Sequence, residues 1–369
     1  MRRLPLVFLA LLGTALAGEQ QYPLWDCTES VAEYAKKVNL PATKSLDLGN
    51  GVKLELVLIP AGQFIMGTPE PTPVDEDGFR KKIITGQVLS AVSSGMLLVL
   101  LTFVVVKSIR KRQRPKYSLL WLLALTVMAG GCVLSGLHWR QSAQGLEKAQ
   151  ADLFSAKWRY DFARPHEHPG HLVVLTRPFY VGKFAVTQEQ YEQATGTNPS
   201  HFTGKNNPVE HVTWANARIF CNKLSGQTKE TVRLPTEAEW EFACRAGTTT
   251  NYNSGDDESD LARAAWYGAN GMNKTHPVGG KEPNAFGLYD MHGNVWQWCQ
   301  DWYGADYYAN SPAENPEGPK EGESRVLRGG SWFDGAKYCR STSRYDYDIG
   351  DRGRNLGFRV VVEPAIKAP

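Results

Sequence analysis

The sequence predicts an α+β fold with a small sheet, short capped helices and much irregular structure, and three features carry that prediction. The 369 residues include 35 Gly, 21 Pro and 11 Trp, a surplus of turn formers and large rings that suits a loop-rich domain better than a helical bundle. Three segments open with helix-capping residues and stop within a few turns. Apolar residues elsewhere come in short alternating runs rather than long helical stripes. The charge balance is even, with 41 Lys+Arg against 38 Asp+Glu and a net charge of +3. That excludes a dedicated nucleic-acid binder, and a hydrophobic content of 42% excludes a disordered chain.

In chain order, Met1-Arg2-Arg3 precedes an apolar run from Leu4 to Leu16 that ends in Ala15-Leu16-Ala17. A charged start, a short apolar core and a small-x-small end predict a signal peptide over 1–17. Residues 18–53 follow as an exported lead, with one or two helical turns after Cys27. Val52 to Ile59 alternates like a strand and stops at Pro60-Ala-Gly62, and Gln63 to Met66 continues as a second strand.

The stretches 86–106 and 117–138 carry no charged residue and are each long enough for a transmembrane helix. Six cations lie between them, from Lys107 to Lys116, and a short basic loop stays cytoplasmic. The expectation is a membrane hairpin within an insertion over 71–163, with the globular domain on the exported side. A weakly amphipathic helix over 145–161 leads out of it.

Thr187-Gln-Glu-Gln190 is a capping box, as is Thr236-Glu-Ala-Glu239. Thr213 opens a third helix, expected over Trp214 to Leu224, burying Ile219 and Phe220 and stopping at Gly226. From Asn284 to Val361 the chain mixes short strands with Gly-rich loops, and 362–369 is a tail. The Trp240, Trp266, Trp296, Trp298, Trp302 and Trp332 cluster reads mainly as core. The run Gly255 to Asp260 reads as a solvated loop. His166, His168 and His171 offer three imidazoles without a further ligand motif.

Seven ordered segments now stand together. They are Leu56-Val-Leu-Ile-Pro-Ala-Gly-Gln-Phe-Ile-Met-Gly67, Arg177-Pro-Phe-Tyr-Val-Gly-Lys-Phe-Ala-Val-Thr-Gln188, Asn207-Pro-Val-Glu-His-Val-Thr-Trp214, Arg233-Leu-Pro-Thr-Glu-Ala-Glu-Trp-Glu241, Gly287-Leu-Tyr-Asp-Met-His-Gly-Asn-Val-Trp-Gln-Trp298, Arg328-Gly-Gly-Ser-Trp332 and Asn355-Leu-Gly-Phe-Arg359. The series resembles the sulfatase-modifying factor family, whose founding member is the formylglycine-generating enzyme. The resemblance covers 54–70 and 164–361. It implies an irregular α+β domain of low regular secondary structure, distantly related to C-type lectin folds and here split by the insertion.

It also implies a chemistry. The family's enzyme oxidises a sulfatase cysteine to formylglycine with oxygen and Cu(I) held by two thiolates, soft ligands for a soft ion. The second thiol position corresponds to Cys339, whereas the first corresponds to Asp334. One thiolate with one hard carboxylate is a poor Cu(I) site. Trp332, Phe333 and Arg340 flank that loop as substrate-binding candidates. Asn294 and Gln297 fall in the family's calcium loop, where Gln297 replaces the usual Glu and weakens the expected site.

The resemblance further implies that Cys221 and Cys244 lack their disulfide partners, because Arg344 and Val360 stand in the partner positions. The reading that results is a membrane-anchored, exported binding or accessory module whose partner is an exported or cell-surface protein such as a sulfatase. A formylglycine-generating oxidase is the first alternative and a diverged metal-dependent oxidase the second.

Overall fold

The computed structural model describes residues 22–68 and 165–364, together with residues 144 and 148. Contacts divide the chain into two units, Met1–Pro69 with Ala163–Pro369, and Glu70–Phe162. Of the second unit only Gln144 and Lys148 are described, both helical and exposed. Everything below concerns the first.

Among the described residues no helix is long and apolar enough to cross a membrane. This corrects the membrane localisation expected from the sequence. The runs 86–106 and 117–138, the signal over 1–17 and the helix over 145–161, apart from residue 148, lie outside the described residues.

The alternating run after Val52 forms strand β2 (Lys53–Ile59), paired on one side with β1 (Thr43–Asp47) and on the other with β5 (Phe179–Gly182). The sheet continues through β11 (Val361–Val362) to β6 (Val232–Arg233), in the order β1-β2-β5-β11-β6 with every pair antiparallel. Period-two geometry sends alternate side chains to opposite faces. Leu54, Leu56 and Leu58 pack in one apolar cluster with Tyr180, Phe220 and Phe358. Val57 and Ile59 pack in another with Phe179, Trp240 and Phe242. This sheet is thus covered on both faces, and its central strands read as nearly continuous apolar runs.

The strand at Gln63 to Met66 starts at the turn residue Gly62 as β3 (Gly62–Met66) and pairs with β4 (His171–Leu175). A second sheet runs β10-β7-β8-β9, with β7 (Trp296–Trp302), β8 (Ser324–Arg328), β9 (Arg344–Asp348) and β10 (Leu356–Gly357). Only the β10–β7 pair is parallel.

Helix α1 (Val31–Lys37) follows Cys27. The capping boxes form as expected: Thr187 opens α2 (Gln188–Thr195), and Thr236 opens α4 (Glu237–Arg245). Helix α3 (Trp214–Thr228) starts at Thr213 but runs through Gly226 and ends on Lys229, whose φ of 58° supplies the left-handed cap. Ala217, Phe220, Cys221 and Leu224 form its buried stripe, which leaves Ile219 off the stripe and 50% exposed. The acidic run at 255–260 is helical from Glu258, because Asp257 caps α5 (Glu258–Ala264) and Asp260 pairs with Arg263. The last helix is the single turn α6 (Tyr307–Asn310).

Every residue of α4 is buried, including three glutamates, and each glutamate meets arginine. Glu237 receives the Arg344 fork at 2.6 and 2.8 Å, and Glu239 receives the Arg233 fork at 2.7 Å twice. Glu241 pairs with Arg245 at 2.9 Å and with Arg328. Burial alone would raise the Glu241 carboxyl, but Arg245 and Arg328 bring it below the usual carboxylate range. These pairs tie α4 to β6, β8 and β9, so the glutamates act in long-range bracing.

Candidate functional site

Strand β8 delivers Arg328 into a turn, Gly329-Gly330-Ser331, with φ of 99° and 73° at the glycines. A Cβ at Gly330 would lie 2.5 Å from the Cys339 Sγ, so only glycine lets the thiol pack beneath this turn. Cys339 is fully buried. Burial pushes its thiol far up, and the Asp334 charge pushes it further. The thiol therefore stays protonated at neutral pH, the opposite of an activated nucleophile.

Asp334, three residues past Ser331, folds back onto that serine. Its Oδ2 accepts from the Trp296 indole at 2.9 Å and from the Ser331 hydroxyl, and its backbone N–H donates to the Ser331 carbonyl at 3.1 Å. Burial raises its pKa, while the Ser331 and Trp296 hydrogen bonds oppose the rise. One neutral buried thiol beside a carboxylate already bonded to two donors does not fit Cu(I), which favours low-coordinate thiolate ligation.

The surface over Asp334 is aromatic. Trp332 packs edge to face with Phe202 at 5.5 Å and Phe333 at 5.6 Å, and its indole donates to the Arg354 carbonyl at 3.1 Å. Phe333 is 65% exposed. Trp296, beneath, leans on Tyr345 at 5.7 Å, which continues to Tyr347.

Arg340, a flank of the same loop, points inward instead. It is buried, holding Glu167 through two 2.9 Å bonds and Thr342 at 2.8 Å. The chain itself engages its guanidinium, so Arg340 serves as a brace and not as an exposed ligand contact.

Asn294 and Gln297 are also committed. The Asn294 Oδ1 accepts from the His276 N–H at 3.1 Å, and its amide donates to the His276 carbonyl at 3.0 Å. The Gln297 Oε1 accepts from Trp240 at 2.8 Å and Arg359 at 2.6 Å. Side-chain oxygens facing N–H donors do not fit a calcium ion. Asn294 has a φ of 59°, which suits its place in the turn.

The three histidines separate: His166 meets Tyr303 and His171 meets Tyr308 edge to face, while His168 Nδ1 meets the Thr68 carbonyl at 3.0 Å. Among the described residues no group of three His, Cys, Asp or Glu side chains is placed to hold a metal ion. Trp240, Trp296 and Trp298 are core, whereas Trp266, Trp302 and Trp332 are half-buried. Cys27, Cys221, Cys244, Cys299 and Cys339 are free thiols, and Arg344, at a would-be disulfide partner position, instead joins Glu237.

Sequence reasoning missed Glu210, which lies within the Asn207–Trp214 segment. Glu210 is wholly buried below Phe202, whose N–H donates to its Oε1 at 2.7 Å, and its Oε2 has no hydrogen-bond partner. Burial pushes the carboxyl up to about 7, against the Phe202 and His201 N–H groups and Arg354. His211, next in sequence, has a φ of 62° and a lowered pKa from burial and from Arg352 and Arg354. The one available signal was a carboxylate between apolar Val209 and Val212 in a loop.

Sheet, buried ion pairs and thiol-bearing turn define an α+β domain whose loop over Cys339 and Asp334 sits beneath an aromatic face. The sulfatase-modifying factor enzyme 1-like domain matches residues 128–364, and the chain belongs to that family. It is 40% identical over 176 residues to the formylglycine-generating enzyme of Streptomyces coelicolor, covering 43% of this chain and 54% of that one. The chain thus spans about half the length of that relative.

It is 30% identical over 238 residues to the chaperone protein LppX of Paenibacillus barcinonensis, covering 51% of this chain and 81% of that one. Among solved structures, Treponema denticola variable protein 1 superposes with a TM-score of 0.58 at 26% identity, over 88% of this chain and all of that one. PvdO from Pseudomonas aeruginosa shares the fold, with a TM-score of 0.56 at 23% identity, over 87% of this chain and 98% of that one.

Proposed function

We propose that this chain is a binding or accessory module of its family, without the two-thiolate oxidation site. Its ligand is a protein segment seated on Phe202, Trp332 and Phe333 above Asp334. The observation that carries this reading is the pair at the turn: Asp334 is tied to Trp296 and Ser331 where the resemblance places a thiolate, and the one thiol lies buried under Gly330. Exposed Phe333 beside half-buried Trp332, held by a rigid turn, is the kind of anchor that carries binding energy at protein interfaces. A sulfatase-type segment is the first ligand to test, since the family resemblance points there.

A fluorescent peptide bearing Cys-x-Pro-x-Arg, titrated by anisotropy, tests the proposal. Burying the exposed two-thirds of Phe333 contributes ~1–2 kcal/mol, so Phe333→Ala should weaken binding about tenfold. The same peptide is then incubated with Cu(I) and oxygen and followed by mass spectrometry. Peptide that is bound but unaltered supports the module. Aldehyde formed by the native chain and lost in Cys339→Ser makes it an oxidase instead. Binding indifferent to Phe333→Ala removes this face as the docking site.

A further inference from the structure

We infer that the pocket between α3 and the β7–β8 hairpin is a binding site for a tetrahedral oxyanion, phosphate or sulfate. The cavity has a volume of about 370 Å³ and its lining includes Trp214, Arg218, Trp302, Glu317, Lys320 and Arg325. Arg325 lies between two indoles, 3.9 Å from the Trp214 ring centre and 3.3 Å from that of Trp302. Arg218 reaches the Trp214 ring from α3 at 5.1 Å.

Guanidinium groups are normally paired with carboxylates when they are drawn out of water. Other guanidiniums of this domain have their N–H groups engaged: Arg233, on the same wall, holds Glu239 and Glu363, and buried Arg359 bonds Gln297 and the Gly182 and Tyr289 carbonyls. Among the described residues Arg218, Lys320 and Arg325 form no ion pair, and the Arg325 Nε is buried with no hydrogen-bond partner. One Arg325 N–H group donates to the Gln300 carbonyl. Burial and the Arg218 charge both pull the Arg325 pKa down, Asp301 opposing.

Two like charges held over one indole and a half-buried unpaired guanidinium are costly unless an anion joins them. Glu317 is the sole carboxylate on this wall. The three cations come from α3, the 317–320 loop and β8, so they approach from different directions. That arrangement suits the out-of-plane oxygens of a tetrahedral ion better than a planar carboxylate. The indoles fix the plane of Arg325 in advance, which lowers the ordering cost of binding.

Calorimetric titration of the full chain with sodium phosphate, sodium sulfate and sodium acetate at low ionic strength tests the inference. Saturable binding of phosphate or sulfate is expected, with acetate at least about tenfold weaker, and the tighter ion identifies the group a natural ligand carries. Each charge-assisted bond contributes ~1.5 kcal/mol or more. Arg325→Gln should therefore weaken binding about tenfold or more.

Arg218→Gln and Lys320→Gln change exposed side chains that form no ion pair among the described residues, so the fold should persist while affinity falls about threefold or more. Wild-type affinity in both of these variants would overturn the site, as would acetate binding as tightly as sulfate, or no saturable heat with either ion. The Phe333→Ala variant should bind the anion unchanged, which separates this site from the aromatic face.

Discussion

Glu210 links the candidate site to pH in a way that can be measured directly. Its ordinary pKa of 4.5 is pushed up to about 7 in the folded chain, mainly by burial. Below pH 4.5 the carboxyl is protonated folded and unfolded alike, and it contributes nothing. Between 4.5 and 7 the unfolded chain releases the proton while the folded chain keeps it. Stability contributed by this group therefore falls as pH rises, and the full cost is present above 7.

At about 1.36 kcal/mol per pH unit the span corresponds to ~3 kcal/mol. Water around the exposed His201 and Arg354 screens the charge, leaving ~1–2 kcal/mol. Glu210→Gln keeps an acceptor for the Phe202 N–H and cannot ionise. Urea unfolding of both proteins between pH 4 and 8.5 isolates the effect, because groups common to both proteins cancel in the difference. The variant should gain ~1–2 kcal/mol on the native chain across that window. A difference that stays flat with pH would refute the reasoning, and a gain on acidification would reverse its sign.

Other residues give further outcomes. Arg344→Ala leaves the Glu237 carboxylate buried without its fork, and urea unfolding should show a loss of about 3–5 kcal/mol. Gly330→Ala places a methyl 2.5 Å from the Cys339 Sγ at a φ of 73°, and should cost ~2 kcal/mol or more, part of it recovered in the double variant with Cys339→Ala. Peptide mapping after iodoacetamide should find exposed Cys27 alkylated first and Cys339 only in denaturant, since burial holds that thiol protonated. Chelator should leave the melting temperature unchanged, because the Asn294 and Gln297 oxygens already face N–H donors.

The local elements were legible because their causes are local. Thr187, Thr213 and Thr236 each cap the helix they precede, and alternation from Val52 marks the two-faced strand β2. Ile219 was misplaced because one apolar residue does not say which stripe wins. Ala217, Phe220, Cys221 and Leu224 decide it only once the sheet is beneath them. Arg340 and Gln297 look like ligand contacts in the sequence for a related reason. Their partners, Glu167, Trp240 and Arg359, lie 173, 57 and 62 positions away, and no local pattern encodes such pairs. The sequence shows Asp334 where the resemblance implies a thiol, but not its bond to Trp296, 38 positions away.

The same long-range pairs hold the turn over Cys339 in shape. Arg328 leaves β8 immediately before Gly329, and its guanidinium holds Glu241 of α4 while also bonding the Ser341, Thr342 and Ser343 carbonyls beyond Cys339. Both ends of the loop are therefore fixed to α4. His292 adds a third tie through its 2.7 Å contact with the Cys339 carbonyl. A loop braced in this way places few demands on the chemistry at its tip: Asp334, where the resemblance implies a thiolate, takes no part in the bracing. The exposed face of Trp332 and Phe333 then stays preorganised, which is the property a binding surface requires.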